Sequence, residues 1–252
     1  MLSYFSIFIL GLLIGSFLNV VIFRLETKDS IISGRSHCPK CGAVLKWFDL
    51  IPVLSFLIQK GKCRYCHKRI SLQYPSVEII TGLLFLLIFN FQTLNLFYYL
   101  VIVCLLIVIF VYDLKHYIIP DKIVFPAIII ALIFNFQFSI FNEFSIFKFS
   151  ILSALGAALF FLSLVLVSKG RWLGWGDVKL AILMGLVLGW PNILAALFLS
   201  FFSGAIIGIG LIIAGKKGLK SQIPFGPFLV GATIIVMLYS QQIVDWYQYF
   251  LY

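Results

Sequence analysis

Asp113 and Asp177 each stand at the end of an apolar run. Asp113 closes the stretch 94–112; Asp177 follows Gly174-Trp175-Gly176 and leads into the apolar stretch 178–188. A carboxylate at the edge of a membrane-spanning helix is costly to keep there and usually marks function. Two that face one another share a proton, because close like charges resist joint ionisation. One then serves as general base on a water while the other protonates a leaving group. That is the chemistry by which paired aspartates hydrolyse an amide bond. The plainer alternative is two structural carboxylates, each matched with Lys115, Lys179 or another cation. The glycines favour the catalytic reading, since Gly174 and Gly176 let the backbone bend where a helix begins and let a substrate come close. A helix N-terminus also favours Asp177 as the ionised member of the pair.

A second constellation lies in the one sizeable polar segment, 24–73. It holds Cys38-Pro39-Lys40-Cys41 and Cys63-Arg64-Tyr65-Cys66, with 21 residues between the pairs. Two C-x-x-C turns at this separation suit one tetrahedral structural Zn²⁺. His37 and His67 adjoin the cysteines, but four thiolates already close the shell, so the metal is expected to be structural. Gly42 and the basic residues near the second pair suit zinc-ribbon knuckles. A segment of this size with few buried apolar groups needs a staple to fold. The alternative is two redox pairs or a disulfide framework, against which a cytoplasmic location argues. Cys104 reads as a small buried hydrophobe.

The remaining acids are plainer. Glu26, Asp29 and Asp49 fall in the polar segment, Glu143 in an outer loop and Asp245 near the C-terminus. Asp121 follows Ile119-Pro120 and is expected to cap a helix, with a supporting role at the site as the alternative. Glu78 falls in the first turns of a span, where it should meet a basic residue or a backbone N–H.

These groups need a frame, and composition says which kind. Hydrophobic residues make up 62% and charged residues 11%, against roughly 45–50% and about 25% in a soluble domain. With a mean hydropathy of +1.11, the chain reads as an all-α polytopic membrane protein. Apolar runs predict about eight spans, near 2–23, 74–91, 94–112, 123–138, 149–167, 177–189, 192–214 and 227–243. Residues 1–23 lack a basic flank and are too long for a signal peptide, so they read as a retained first helix. The cysteine segment 24–73 follows, and 74–252 forms a seven-helix core.

Of the nineteen Lys and Arg, ten lie in 24–73, and Lys115, Lys122, Lys169, Arg171, Lys179, Lys216, Lys217 and Lys220 fall on the same face. Only Lys148 falls on the other. The positive-inside rule then makes the cysteine loop cytoplasmic and puts both termini outside. Topology accounts for the net charge of +10 without nucleic acid, and the basic loops can lean on anionic lipid headgroups. Both Asp113 and Asp177 fall at the cytoplasmic ends of their spans.

The residues also carry a resemblance. Gly15-Ser16-Phe17-Leu18-Asn19-Val20 with Arg24, both cysteine pairs, Leu50-Ile51-Pro52-Val53-Leu54-Ser55, and Tyr74-Pro75 with Glu78 appear in order. They are followed by Asp113 with Ile119-Pro120-Asp121, Gly174-Trp175-Gly176-Asp177-Val178-Lys179, and Pro224-Phe225-Gly226-Pro227-Phe228. This series resembles the type IV prepilin leader peptidases, of the GxGD class of intramembrane aspartic proteases. The resemblance implies a bacterial inner-membrane enzyme that cleaves prepilins or pseudopilins at the cytoplasmic face, with Asp113 and Asp177 catalytic. It also implies N-methylation of the new N-terminus with S-adenosylmethionine, for which Gly61 and Lys62 are the residues to consider. Presenilin-like proteases share Tyr-Asp and Gly-x-Gly-Asp elements, echoed in Tyr112-Asp113, but are not expected to carry a four-cysteine loop. A transporter or scaffold with paired intramembrane acids is the rival outside enzymes.

Overall fold

A computed structural model describes residues 2–27, 30, 34–91, 95–141, 144–215, 218 and 222–251. Asp29, Glu143, Lys216, Lys217 and Lys220 lie outside the described residues, as does Leu94 at the start of the third expected span. Eight long helices stand where eight spans are expected. They are α1 (Leu2–Thr27), α3 (Gln73–Phe91), α4 (Leu96–His116), α5 (Asp121–Phe141), α6 (Phe144–Ser168), α7 (Trp175–Leu188), α8 (Asn192–Ile213) and α9 (Gly226–Leu251). A 3₁₀ turn (Trp47–Leu50) and the short helix α2 (Leu54–Ile58) fall in the polar segment. Among the described residues there are no strands, only isolated antiparallel bridges at His37–Val44 and Lys62–Arg69.

Among the described residues five helices are long and apolar enough to cross a bilayer: Ser3–Thr27, Gln73–Phe91, Leu96–His116, Phe147–Ser168 and Asn192–Ile213, with a shorter apolar helix at Gly226–Ser240. The expected spans at 123–138 and 177–189 are not among them. The 14 residues of α7 reach only about 21 Å at about 1.5 Å per residue, short of a core near 30 Å. Gly189, at φ +65°, ends it, with its N–H donated to the Gly185 carbonyl.

The chain divides into two compact units, Met1–Val108 and Ile109–Tyr252. In the first, α1 packs on α3. Gly11 and Gly15, one turn apart, bring the two backbones close. A Cβ at Gly11 would sit 2.7 Å from the Cα of Gly82, and one at Gly15 would sit 2.7 Å from the Cα of Glu78. Small residues at this spacing are how helices approach each other in lipid.

In the second unit α7 packs against α5, α6, α8 and α9. Leu180, Ala181, Leu183 and Met184 are completely buried. A helix apolar on every side belongs inside protein, and enclosure frees α7 from having to match the bilayer. Asn135 ties the layer together, donating to the Ala131 and Leu186 carbonyls at 2.8 and 2.9 Å and accepting from Ser150 at 3.3 Å. Gly185 meets α6 so closely that a Cβ there would lie 2.4 Å from the Cα of Ala154. Gly185→Leu should therefore lower stability by about 1–3 kcal/mol or more. Gly156→Ala, where nothing lies within 4 Å, should leave it unchanged. Thermal unfolding of the two variants in detergent checks the contrast.

Candidate active site and metal centre

Asp113 lies in the last turn of α4, whose end is set by Tyr117 at φ +58° donating its N–H to the Asp113 carbonyl at 2.8 Å. A carboxylate at a helix C-terminus faces the wrong end of that helix's dipole. The fold compensates with a second helix. Gly226, the first residue of α9, donates its N–H to the Asp113 carboxylate. The approach is so close that a Cβ on Gly226 would fall 2.5 Å from Asp113 Oδ2. Pro227 follows, at a helix start where its missing N–H costs nothing. Phe225 holds the turn in place, its ring 5.0 Å from Phe201 and 6.3 Å from the fully buried Phe161.

Asp177 is the third residue of α7, and its carboxylate folds back to accept the N–H of the N-cap residue Gly174 at 2.9 Å. Both acids are buried, Asp113 4% and Asp177 8% exposed, and they lie close enough for the charge on one to act on the other. Among the described residues neither is ion-paired to a cation. Lys179, one of the counter-ions considered for them, is instead 2.6 Å from Asp121 and lies over the Phe125 ring. Asp121 is thus the first residue of α5 and an ion-pair partner, and Pro120 accepts the N–H groups of Ile123 and Val124.

The two glycines of the 174–177 motif differ in their surroundings. Gly176 packs against the protein itself, since a Cβ there would press on the Ile119 side chain at 3.0 Å. Gly174 has an ordinary extended backbone, φ −89° and ψ 161°. A side chain there would meet nothing closer than 3.7 Å, so the fold does not explain that glycine.

In the first unit the four Sγ atoms of Cys38, Cys41, Cys63 and Cys66 lie within 4.8 Å of one another. The two turns that carry them are built alike. Cys38 N–H donates to Ala43 and Gly42 N–H to Cys38, while Cys63 N–H donates to Lys68 and His67 N–H to Cys63, all at 2.9 Å. Gly42 and His67 occupy equivalent left-handed positions, φ +71° and +56°. His67 is therefore a turn residue, and His37 pairs with Val44; four thiols remain as the ligand set. Burial resists ionisation of Cys38, yet the N–H groups of Lys40 and Cys41 and the Cys41 and Cys63 thiols bring it down to about 7. The cluster can bind a metal, and four convergent thiols, one already acidic, fit Zn²⁺.

Asp49, expected to be unremarkable, braces this region. Its buried carboxylate meets Arg64 Nε at 3.0 Å, the Lys46 N–H at 3.2 Å, Gln59 at 3.2 Å and the Tyr65 hydroxyl at 3.3 Å. Glu78 finds a backbone donor, accepting the Val53 N–H at 2.8 Å and the Ser16 hydroxyl. Gly61 serves a left-handed turn at φ +68° and lies against the Phe56 ring, while Lys62 bridges to Arg69. Both are accounted for by the second cysteine turn.

Sequence reasoning passed over Gly226 as an individual residue, although Gly-Pro followed by an apolar run is a readable helix start. Nothing local could have aimed that start at Asp113.

Comparison with known proteins covers the chain from end to end. Residues 9–91 match the bacterial peptidase A24 N-terminal domain, and residues 100–209 match the type IV leader peptidase family. A prepilin leader peptidase/N-methyltransferase of Bacillus subtilis (strain 168) is 35% identical over 244 residues, 96% of each chain. One of Legionella pneumophila is 32% identical over 274 residues, 97% of this chain and 94% of its own. One of Myxococcus xanthus (strain DK1622) is 38% identical over 228 residues, 86% of this chain and 65% of its own. No solved structure matches. With both family models matched in order and relatives aligned over nearly its whole length, the chain belongs to the type IV leader peptidase family.

Proposed function

We propose that the chain removes the leader peptide of type IV prepilins or pseudopilins, with Asp113 and Asp177 as its catalytic pair. The observation that carries this reading is the pair itself: two buried carboxylates near enough for the charge of one to act on the other, neither ion-paired among the described residues, each held by an N–H at a helix start. Among the described residues each carries one backbone donor, which fixes one oxygen and leaves the other for water and substrate.

Asp177, on the N-terminus of its own helix, is the member suited to take a proton from water. Asp113 then carries the shared proton and delivers it to the departing amine. The space beside Gly174 supports an extended substrate backbone passing next to Asp177. The placement of Lys and Arg supports a site opening to the cytoplasm, with the cysteine loop on the same side and both termini outside. The family supports a bacterial inner-membrane location and pilin-like substrates as partners.

The names of the relatives support N-methylation by S-adenosylmethionine as a second activity. Gly61 and Lys62, whose backbones form part of the second cysteine turn, are the residues we propose for contact with that donor. The metal would be held by Cys38, Cys41, Cys63 and Cys66, where it staples the loop and takes no part in proton transfer.

Asp113→Asn and Asp177→Asn should each lower leader cleavage by about 10²–10⁴-fold or more, with the double variant little worse because the two act as a unit. Cleavage of a purified prepilin in detergent measures this, and wild-type rates in either single variant would sink the pairing. Gly226→Ala should cost about 10²-fold in kcat, because the added Cβ must displace the Asp113 carboxylate and misplacement near 1 Å has that effect.

The purified chain should hold one zinc per molecule by elemental analysis. Protons compete with metal for thiolates. Affinity should therefore weaken as pH falls through the Cys38 value of about 7 and keep rising above it, because the Cys41 thiol is raised to about 11. Cys63→Ser should expose residues 34–73 to protease and lower cleavage less than either aspartate variant.

A further inference from the structure

The polar segment between α1 and α3 carries an apolar face that its own fold does not cover. Leu54, Leu57 and Ile58 are 56%, 62% and 73% exposed, and Trp47, in the 3₁₀ turn that packs against α2, is 77% exposed. Positions 54, 57 and 58 follow the i, i+3, i+4 spacing and so share one face of α2. Four large side chains gathered like this on a water-facing loop are a patch that asks for an occupant.

Two observations say which occupant. The first is depth. The N–H of Val53, the residue before α2, is bonded to Glu78 at 2.8 Å, and Glu78 is the sixth residue of the spanning helix α3. The 19 residues of α3 extend about 28 Å, barely the thickness of a hydrocarbon core near 30 Å. A helix with no length to spare must begin at the core's edge. Its sixth residue, about 8 Å along, then lies just inside that edge, within the roughly 5–10 Å to which an interfacial helix buries its apolar face. Hydrogen bonding to that residue holds α2 at the same level. Val53 is kept there despite a positive φ of 60°, which a β-branched residue resists.

The second is charge. Phe48, next to Trp47, has the Arg64 guanidinium 4.7 Å and the Lys46 ammonium 5.8 Å from its ring centre. Arg64 is paired with Asp49, so Lys46 is the cation held beside the apolar face. Tryptophan flanked by basic groups is the composition that settles at a membrane interface.

We infer that Trp47–Ile58 is a monotopic foot: Trp47, Leu54, Leu57 and Ile58 insert into the acyl boundary of the bilayer that α3 spans, and Lys46 meets anionic headgroups. The cysteine-bearing segment then rests on the membrane through this foot and through Glu78. This inference rests on the membrane fold and is independent of the catalytic assignment.

The test uses the full-length, zinc-loaded protein in nanodiscs of phosphatidylcholine and phosphatidylglycerol. Leu57 and, separately, Ile58 are replaced by the photoreactive residue benzoylphenylalanine and irradiated. Lipid adducts on the peptide carrying the label are expected. No adducts, or adducts only to a second copy of the chain, would overturn the foot. Should either label disturb folding, Trp47 gives an independent reading. Its emission, taken as wild type minus Trp47→Phe, should be quenched by lipids brominated high on the acyl chain, and less by lipids brominated near the terminal methyl. Equal emission in brominated and plain lipid would refute the placement.

Discussion

A carboxylate taken out of water among apolar helices needs a donor to hold it, and both buried aspartates of this chain use a backbone N–H at a helix start. Asp177 has this from local sequence, because a carboxylate at the third position of a helix reaches its own N-cap. Asp113 lies at the unfavourable end of its own helix and relies on the N-terminus of α9, brought from over a hundred residues away. That contact makes the identity of Gly226 a chemical requirement, since any side chain there would occupy the space of a carboxylate oxygen. A backbone donor also suits a working acid better than a lysine would. It holds the oxygen without contributing a full opposing charge, so the proton can still be shared.

The surrounding helices read as devices for holding those two helix starts still. α7 is too short to cross a bilayer and too apolar to face water, so it must be enclosed, and enclosure fixes Asp177 at its head. The close approach of Gly185 to Ala154 and the Asn135 hydrogen bonds lock its far end. The ring cluster around Phe225 does the same for the start of α9. One cation that could have neutralised the site, Lys179, is engaged with Asp121.

The first unit solves a separate problem. A polar segment with little core of its own is organised by two matching cysteine turns, by Asp49 and its four partners, and by Glu78 reaching out of α3 to Val53. Each is a polar group replacing the burial that the segment is too small to supply. Glu78 and Arg24 work alike here. Arg24 lies in the last turns of α1 and donates to the carbonyls of Ser30 and Gly34 at 3.0 and 2.6 Å, so each helix flanking the segment takes hold of it.

The sequence by itself determined the membrane class, the positions of the helices, the two aspartates and the four cysteines. Each of these follows from a local pattern: hydropathy over twenty residues, a charge closing an apolar run, or a C-x-x-C repeat. It also offered a basic residue or a backbone N–H as the partner of Glu78, and the structure chose the backbone N–H of Val53. Only the tertiary structure decided that α7 is enclosed, that Lys179 belongs to Asp121, and that Gly176 serves Ile119 while Gly174 is left without a structural duty. The same holds for Asp49 as a brace and Gly226 as the donor to Asp113. The physical reason is the same in each case. Hydrophobic period and turn chemistry are properties of neighbouring residues, whereas the partner of a buried charge or the neighbour of a missing Cβ is set by which helices pack together. That packing joins positions from 10 to more than 100 residues apart, and no local signal spans such a distance.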